Sequence, residues 1–442
     1  MKNFSKLGMA TALLAGTAFL AADFRPAGAQ IAKAQAEREA KEKKKNKGKA
    51  KGKAVEAAGR QYNITPAARP AIVALDTAVK AKNEPAYPAA LAAALAVATT
   101  PDEKYLIAKY KLTHALNTNN AAEQLAAFQE VIASGAADAV ETPKLHQGVG
   151  ILAFNASNWQ LADQAFGRAV ELMPTDANNL TNWGLVKVRL NQSAAAGPLF
   201  ERAIAATRAA GQPVPESLLR NLLQIRFEAR QPSALVLSRE VLTAFPTPEN
   251  WRNSLIVYRD FARADEDLNL DIMRLMRASG AMTLRQEFYE LATAATDAGL
   301  PNEAKAALDA SVAARVGRTN DATYTRIMAL ARGRIAEDRA SLAAGKAAAL
   351  RDRLGTKALR TGDAYLSYGE YAEAITLYRA ALTKGADANL VNSRIGIAAA
   401  SAGNRAEAET AFRAVTGPRA ELAALWLRWL TTPITAAPRP AA

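Results

Sequence analysis

Apolar and polar positions along this chain follow the helical period in short bursts. From about residue 65 onward, segments carry apolar side chains at i, i+3, i+4 and i+7, and each ends at a break rich in Gly, Pro, Asn or Asp. The pattern predicts paired helices: 67–82 with 87–98, 104–117 with 121–133, and two pairs inside 144–208. Further pairs are predicted at 216–230 with 233–244, 248–263 with 265–278, 284–298 with 302–314, and 320–334 with 337–351. Two more follow between 355 and 415, and Pro418 opens a last helix to Leu430. No run of alternating β-branched residues is long enough for a sheet. The expected fold class is all-α.

Two of these pairs are copies of one another. Gly150, Ala162, Phe166 and Ala169 recur at Gly184, Ala196, Phe200 and Ala203, each 34 residues further on. Near the C-terminus, Gly362, Gly369, Ala374 and Tyr378 recur with the same spacing as Gly396, Gly403, Ala408 and Phe412. The residue types have a physical reading. The small residues let two helix backbones cross closely, and the aromatic fills the space beside the crossing. Pro174 lacks an amide proton and cannot continue the helix it follows. One such hairpin cannot bury its own apolar face, so copies must stack.

A 34-residue period carrying these residues resembles the tetratricopeptide repeat. The resemblance covers residues 62–417 and implies an α-solenoid: a right-handed superhelix of about ten stacked helix pairs. Residues 418–430, with Leu422, Leu425, Trp426 and Trp429 on one face, then read as a capping helix, and 431–442 as a flexible tail. In that family the first helices line a groove that holds a protein or peptide partner. Carried over by repeat phase, the groove residues are Lys109, Thr113 and Asn117; Lys144, Gln147, Ile151 and Asn155; Asn178, Thr181, Leu185 and Arg189; and Asp363, Leu366 and Ser367. The family's carboxylate-clamp subtype needs a basic residue and an asparagine where Gln147 and Ile151 stand here, so recognition of a chaperone's acidic C-terminus is not expected.

Composition adds an address. Lys2 and Lys6 precede an apolar stretch, Leu7 to Ala22, and Ala27-Gly28-Ala29 has the small-x-small form of a cleavage site. The stretch would make about 24 Å of helix, short of the roughly 30 Å hydrocarbon core. Residues 1–29 are therefore expected to be a signal peptide, cleaved after Ala29, that delivers the protein to the periplasm. The alternative is an uncleaved inner-membrane anchor. The chain has no cysteine, which excludes disulfides and thiolate chemistry.

Charge is concentrated just behind that segment. Residues 30–60 hold eleven Lys and Arg against four Glu, a net +7 of the total +14, with little that could drive folding. This stretch is expected to be a disordered linker. It is either a solubilising spacer or a tether to an anionic envelope polymer, such as peptidoglycan or an acidic polysaccharide, or to a membrane surface. Export argues against a nucleic-acid partner.

Candidate chemistry is sparse. Gly148-x-Gly150-x-x-Ala153 matches a dinucleotide fingerprint in letters only, because the residues before it are in phase with a helix rather than a strand. His114 and His146 are the only histidines, and no metal-ligand or nucleophile spacing accompanies them. Asp265, Glu266 and Asp267 stand at a predicted helix start, where they complement the dipole. The expectation is a non-enzymatic scaffold with no cofactor or metal.

Overall fold

The computed structural model describes residues 62–431, and every regular element in that span is helical. These residues divide into two compact units that meet at Glu228 and Ala229. The first contains α1 (Arg69–Lys80), α2 (Tyr87–Val97), α3 (Pro101–Asn117), α4 (Ala121–Ala133), α5 (Thr142–Asn155), α6 (Trp159–Leu172), α7 (Ala177–Arg189), α8 (Ser193–Ala209) and α9 (Glu216–Glu228). The second contains α10 (Ser233–Ala244), α11 (Pro248–Ala262), α12 (Glu266–Ala278), α13 (Arg285–Asp297), α14 (Pro301–Ala313) and α15 (Ala322–Arg351). It continues with α16 (Gly355–Ser367), α17 (Tyr371–Thr383), α18 (Ala388–Ser401), α19 (Arg405–Arg413) and, after a 3-10 turn at Gly417–Arg419, α20 (Ala420–Thr431). Within each unit consecutive helices pack as hairpins, as the tetratricopeptide-like repeat implies.

The crossings are built as the repeat pattern predicts. A Cβ added at Gly150 would lie 2.9 Å from the ring of Phe166, and at Gly184 2.5 Å from that of Phe200. The same holds for Gly362 against Tyr378, at 2.6 Å, and Gly396 against Phe412, at 2.5 Å. The four aromatics and the partner alanines Ala162, Ala196, Ala374 and Ala408 are fully buried. Gly148 does the same for its neighbour, with Phe128 at 2.8 Å, so both glycines of the apparent dinucleotide fingerprint serve helix packing. Pro174 lies just beyond the end of α6.

Gly184→Ala therefore overpacks a closed site and is expected to cost about 1–3 kcal/mol. Gly333→Ala, in an exposed helical position with nothing within 4 Å of the new methyl, should instead stabilise by about 0.5–1 kcal/mol. Thermal melts of the two variants should move in opposite directions.

Helix starts are fixed by side chains. Asn120, Asn158 and Asp176 each accept from the backbone N–H three residues ahead, and Thr100 with Glu103 forms a capping box that starts α3 at Pro101, earlier than the apolar pattern suggests. Two predicted pairs are corrected. Helices α9 and α10, expected as the pair 216–230 with 233–244, fall in different units. In place of 320–334 and 337–351 there is a single helix, α15, about 45 Å long. Residues Gly333 to Ala336 offer no N-cap and no left-handed backbone, and the Ala-rich sequence on either side simply continues the helix.

The last helix caps the second unit and also closes it. Trp426 stacks on Phe412 with ring centroids 5.6 Å apart, and Trp429 meets Trp426 edge-on at 5.4 Å. The same segment reaches back to the start of the unit. The Tyr258 hydroxyl donates to the Pro418 carbonyl at 2.8 Å, the Trp429 indole to the Ala278 carbonyl at 3.1 Å, and Arg239 pairs with Glu421 at 2.6 Å. One continuous apolar core runs from Leu242 to Trp426.

Candidate functional site: the first-helix face of the N-terminal unit

The two units use their first-helix faces differently. In the C-terminal unit this face is filled from within. Asp363 is buried and accepts from the Tyr378 hydroxyl at 2.9 Å while pairing with Arg394. Leu366 is buried as well, and the Ser367 carbonyl accepts from the Asn302 side chain at 2.6 Å. Asp363, Leu366 and Ser367 are thus engaged by their own unit. That corrects their assignment to an open groove: α14 supplies the partner of Ser367, and α12 shares with Asp363 the arginines Arg360 and Arg394.

Helix α12 carries Asp267, Asp271 and Arg274 at i, i+4 and i+7, so they share a face. Arg394, with no exposed surface, reaches Asp271 at 2.7 Å and Asp267 at 3.1 Å. Arg274 grips Glu303 through two bonds of 2.8 and 2.6 Å and touches Asp271 at 3.1 Å. Arg419 meets Asp271 at 2.9 Å, and Arg360 holds Asp267 through bonds of 2.8 and 3.1 Å. Four acids (Asp267, Asp271, Glu303, Asp363) face four arginines (Arg274, Arg360, Arg394, Arg419), so the network is neutral. Burial alone would raise the carboxyl of Glu303, but the charge and hydrogen bonds of Arg274 hold it below its ordinary value. Burial likewise opposes ionisation of Asp267, and the bond from Arg360 with the charge of Arg394 outweighs it.

A group whose folded pKa is depressed stabilises the fold above its unfolded pKa. It loses that contribution as pH falls through the folded value. The C-terminal unit should therefore keep its full stability at neutral pH and lose it on acidification below about pH 4, the ordinary carboxylate range. A urea midpoint for this unit that did not fall between pH 5 and pH 3 would contradict the network's role.

In the N-terminal unit the first-helix face is open. Along α5 and α7, which are neighbours, Lys144, Asn155 and Asn178 are exposed, while Gln147, Ile151, Thr181, Leu185 and Arg189 are half-buried. On α3, Thr113 and Asn117 are exposed, and Lys109 is tied to Glu141 at 2.6 Å. The hydroxyls of Thr113 and Thr181 are spent on carbonyls of their own helices. The side-chain amides of Asn117, Gln147, Asn155, Asn178 and Asn182 have no protein partner among the described residues, although Asn182 is buried.

Two residues of this face escape the repeat pattern. Phe154 and Trp159 meet edge to face at 5.1 Å and are both half-buried, and the Arg189 guanidinium sits 5.8 Å from the Trp159 ring. Phe154 stands three residues after Ile151, one helical turn along the same face, which is the signal that could have found it. Trp159 opens a second helix and carries no first-helix phase at all. With Ile151, Leu161, Trp183 and Leu190, Phe154 forms an apolar fringe over the buried residues Ala153, Ala162, Phe166 and Val186.

Two acids near this face, Glu141 and Asp163, are already paired with cations. Glu141 accepts from both Lys109 and the Tyr105 hydroxyl, and Asp163 from Lys187 at 2.9 Å and the Trp183 indole at 2.7 Å. Lys144 and Arg189 belong to no ion pair among the described residues. His146, half-buried on α5, is held below its ordinary pKa by burial and by the charge of Arg168, as befits a packed neutral ring. Among the described residues no group of His, Cys, Asp and Glu could hold a metal ion, and no helix is long and apolar enough to cross a membrane. The expected signal peptide and basic linker lie outside the described residues.

No family model and no curated protein matches the chain. Among solved structures, it is similar to a tetratricopeptide repeat protein from Parabacteroides merdae, at 10% identity over 76% of this chain and 99% of that one, with a TM-score of 0.31. It is similar also to the apo form of RapI, at 9% identity over 85% and 97%, with a TM-score of 0.34. The TPR2AB domain of yeast Sti1, in a complex with pHSP90, matches at 12% identity over 66% and 98%, with a TM-score of 0.25. Scores this low add nothing to the hairpin geometry above, on which the fold assignment rests.

Proposed function

We propose that this protein is a non-enzymatic adaptor that holds a protein or peptide partner on the first-helix face of its N-terminal unit. The observation that carries this reading is the contrast between the two units. One satisfies its face internally, whereas the other leaves five side-chain amides unpaired beside half-buried Ile151, Phe154 and Trp159. Unpaired amides on an apolar floor suit a polypeptide, which supplies one donor and one acceptor per residue as well as apolar side chains. The signal-like residues 1–29 support a finer proposal, that the partner belongs to a cell-envelope assembly in the periplasm.

The test is capture of a partner from envelope extracts with the wild-type chain and with a Lys144→Ala/Asn155→Ala/Arg189→Glu variant. Release of the partner by the variant is the expected result. Retention with unchanged affinity would remove the site from this face. The address is checked separately by N-terminal sequencing of the exported chain, which should begin at Gln30.

A further inference from the structure

We propose that the N-terminal unit has a second binding site, for a small amphiphile: a straight alkyl chain ending in one carboxylate. The site is a gap of about 320 Å³ between α2 and α4, large enough to rank with small-molecule pockets. Leu95 and Ala98 form one wall, Ala133 and Ser134 the other, and Ile107 of α3 the floor. None of these residues belongs to the proposed partner face.

The gap exists because α2 carries small side chains where its counterparts carry large ones. The eighth residue of α4, α6, α8, α17 and α19 is Phe128, Phe166, Phe200, Tyr378 and Phe412, and that of α2 is Ala94. Seven of the ten residues from Ala89 to Ala98 are alanine. Such short side chains do not reach across to α4, whereas helix interfaces are ordinarily packed without gaps. At the start of α2 the helices are drawn together. Tyr87 stacks on His114 with ring centroids 3.6 Å apart, and His114 Nε2 lies 2.9 Å from Glu84. The gap therefore opens toward the end of α2.

The chemistry of the walls selects the ligand. From Pro85 to Pro101 the chain has no charged residue, so α2 offers an alkyl chain an uncharged surface, and Leu95 stands 53% exposed beside it. An alkyl chain laid there takes apolar surface of both partners out of water. Three polar side chains border the gap, and two of them are already engaged. Glu130 pairs with Lys111, and the Ser134 hydroxyl donates to the Val131 carbonyl at 2.6 Å. Lys104, exposed at the mouth, belongs to no ion pair among the described residues. A lone ammonium is a point charge without the guanidinium fork that grips phosphate in two places, so it suits a single carboxylate. A cationic or uncharged head would gain nothing from it.

The experiment titrates the purified full chain with decanoate by isothermal calorimetry, below the concentration at which decanoate forms micelles. One saturable site per chain is expected. Octanoate should bind about tenfold more weakly, the loss expected for two buried methylenes. Decanol and decyltrimethylammonium should also bind more weakly than decanoate. Lys104→Met should weaken decanoate about fivefold, as a partly exposed ion pair allows, and leave decanol unchanged. Ala133→Trp should fill the gap and abolish binding of both, with the melting temperature unchanged. Leu95→Glu, at an exposed position, gives a second reading should the tryptophan disturb α4, and it too should abolish decanoate binding. Both variants keep every basic residue of the chain, so nonspecific attraction to its positive charge would survive in them. Decanoate binding that persists in Ala133→Trp and Leu95→Glu would therefore overturn the proposal, as would the lack of any saturable binding. Equal binding of decanoate and decanol, both lost in Ala133→Trp, would overturn the carboxylate preference and leave the pocket standing.

Discussion

Arg394→Ala is expected to unfold the C-terminal unit at temperatures the wild type survives, with a loss of about 3–5 kcal/mol. The guanidinium has no exposed surface and touches three carboxylates, on Asp267, Asp271 and Asp363. Its removal leaves Asp271 and Asp363 buried with less than their full countercharge, and the desolvation already spent on them is no longer offset. The size of the loss does not mean that the intact network adds that much stability. A well-packed apolar replacement of the whole group could be neutral. Double replacement discriminates: Arg394→Met with Asp271→Leu should be less damaging than Arg394→Met alone. Because the network lies within the second unit, the melting of the first should be unchanged. A single transition that shifted as a whole would contradict this account.

The second large effect is expected at Glu103. This buried carboxylate accepts from the backbone N–H groups of Thr65, Thr99 and Thr100, at 2.8, 2.7 and 2.9 Å, and from the hydroxyls of Thr65 and Thr99. Burial works to raise its pKa, but these bonds overcome it and hold the carboxyl well below the usual range. Glu103→Ala strands three backbone donors, at about 1–3 kcal/mol for each group left unsatisfied, less whatever water can replace. A total of about 2–4 kcal/mol is expected, and it should fall on the α1–α2 hairpin, which Glu103 ties to the start of α3. Limited proteolysis should then cut between residues 62 and 100 before anywhere else in the first unit. Glu103→Gln, which keeps one acceptor, should lie between the two. Protection of that segment in the alanine variant would show that apolar packing alone holds the hairpin.

The contrast between these sites and the glycine crossings explains what the sequence could reveal. Gly184 and Phe200 are 16 residues apart and recur at a fixed spacing, so their contact is local and written twice. Phe154 could be inferred from the helical period once Ile151 was placed. Arg394 and Asp271 are 123 residues apart, with nothing periodic to connect them, and each looks like one more charge on a solvated helix. Asp267 shows the same limit at close range. Asp265 does cap the helix, accepting from the Leu268 N–H at 2.7 Å, yet Asp267, two residues on, is claimed by Arg360 and Arg394. The helical period tells which residues share a face, but not what other part of the chain will cover that face.

The return of the last helix to the start of its unit also sets an order of events during synthesis. The pairing of Arg239 with Glu421 closes a loop of 182 residues, whereas the tethers of Asn63 and Thr65 to the start of α3 close loops of fewer than 40. Contacts between near neighbours form early, and distant ones wait for the chain and for loop closure. The N-terminal unit can thus be native while its successor is still incomplete. A ribosome that stops short of α20 would release a folded N-terminal unit joined to an open, apolar remnant, a natural substrate for proteolytic clearance.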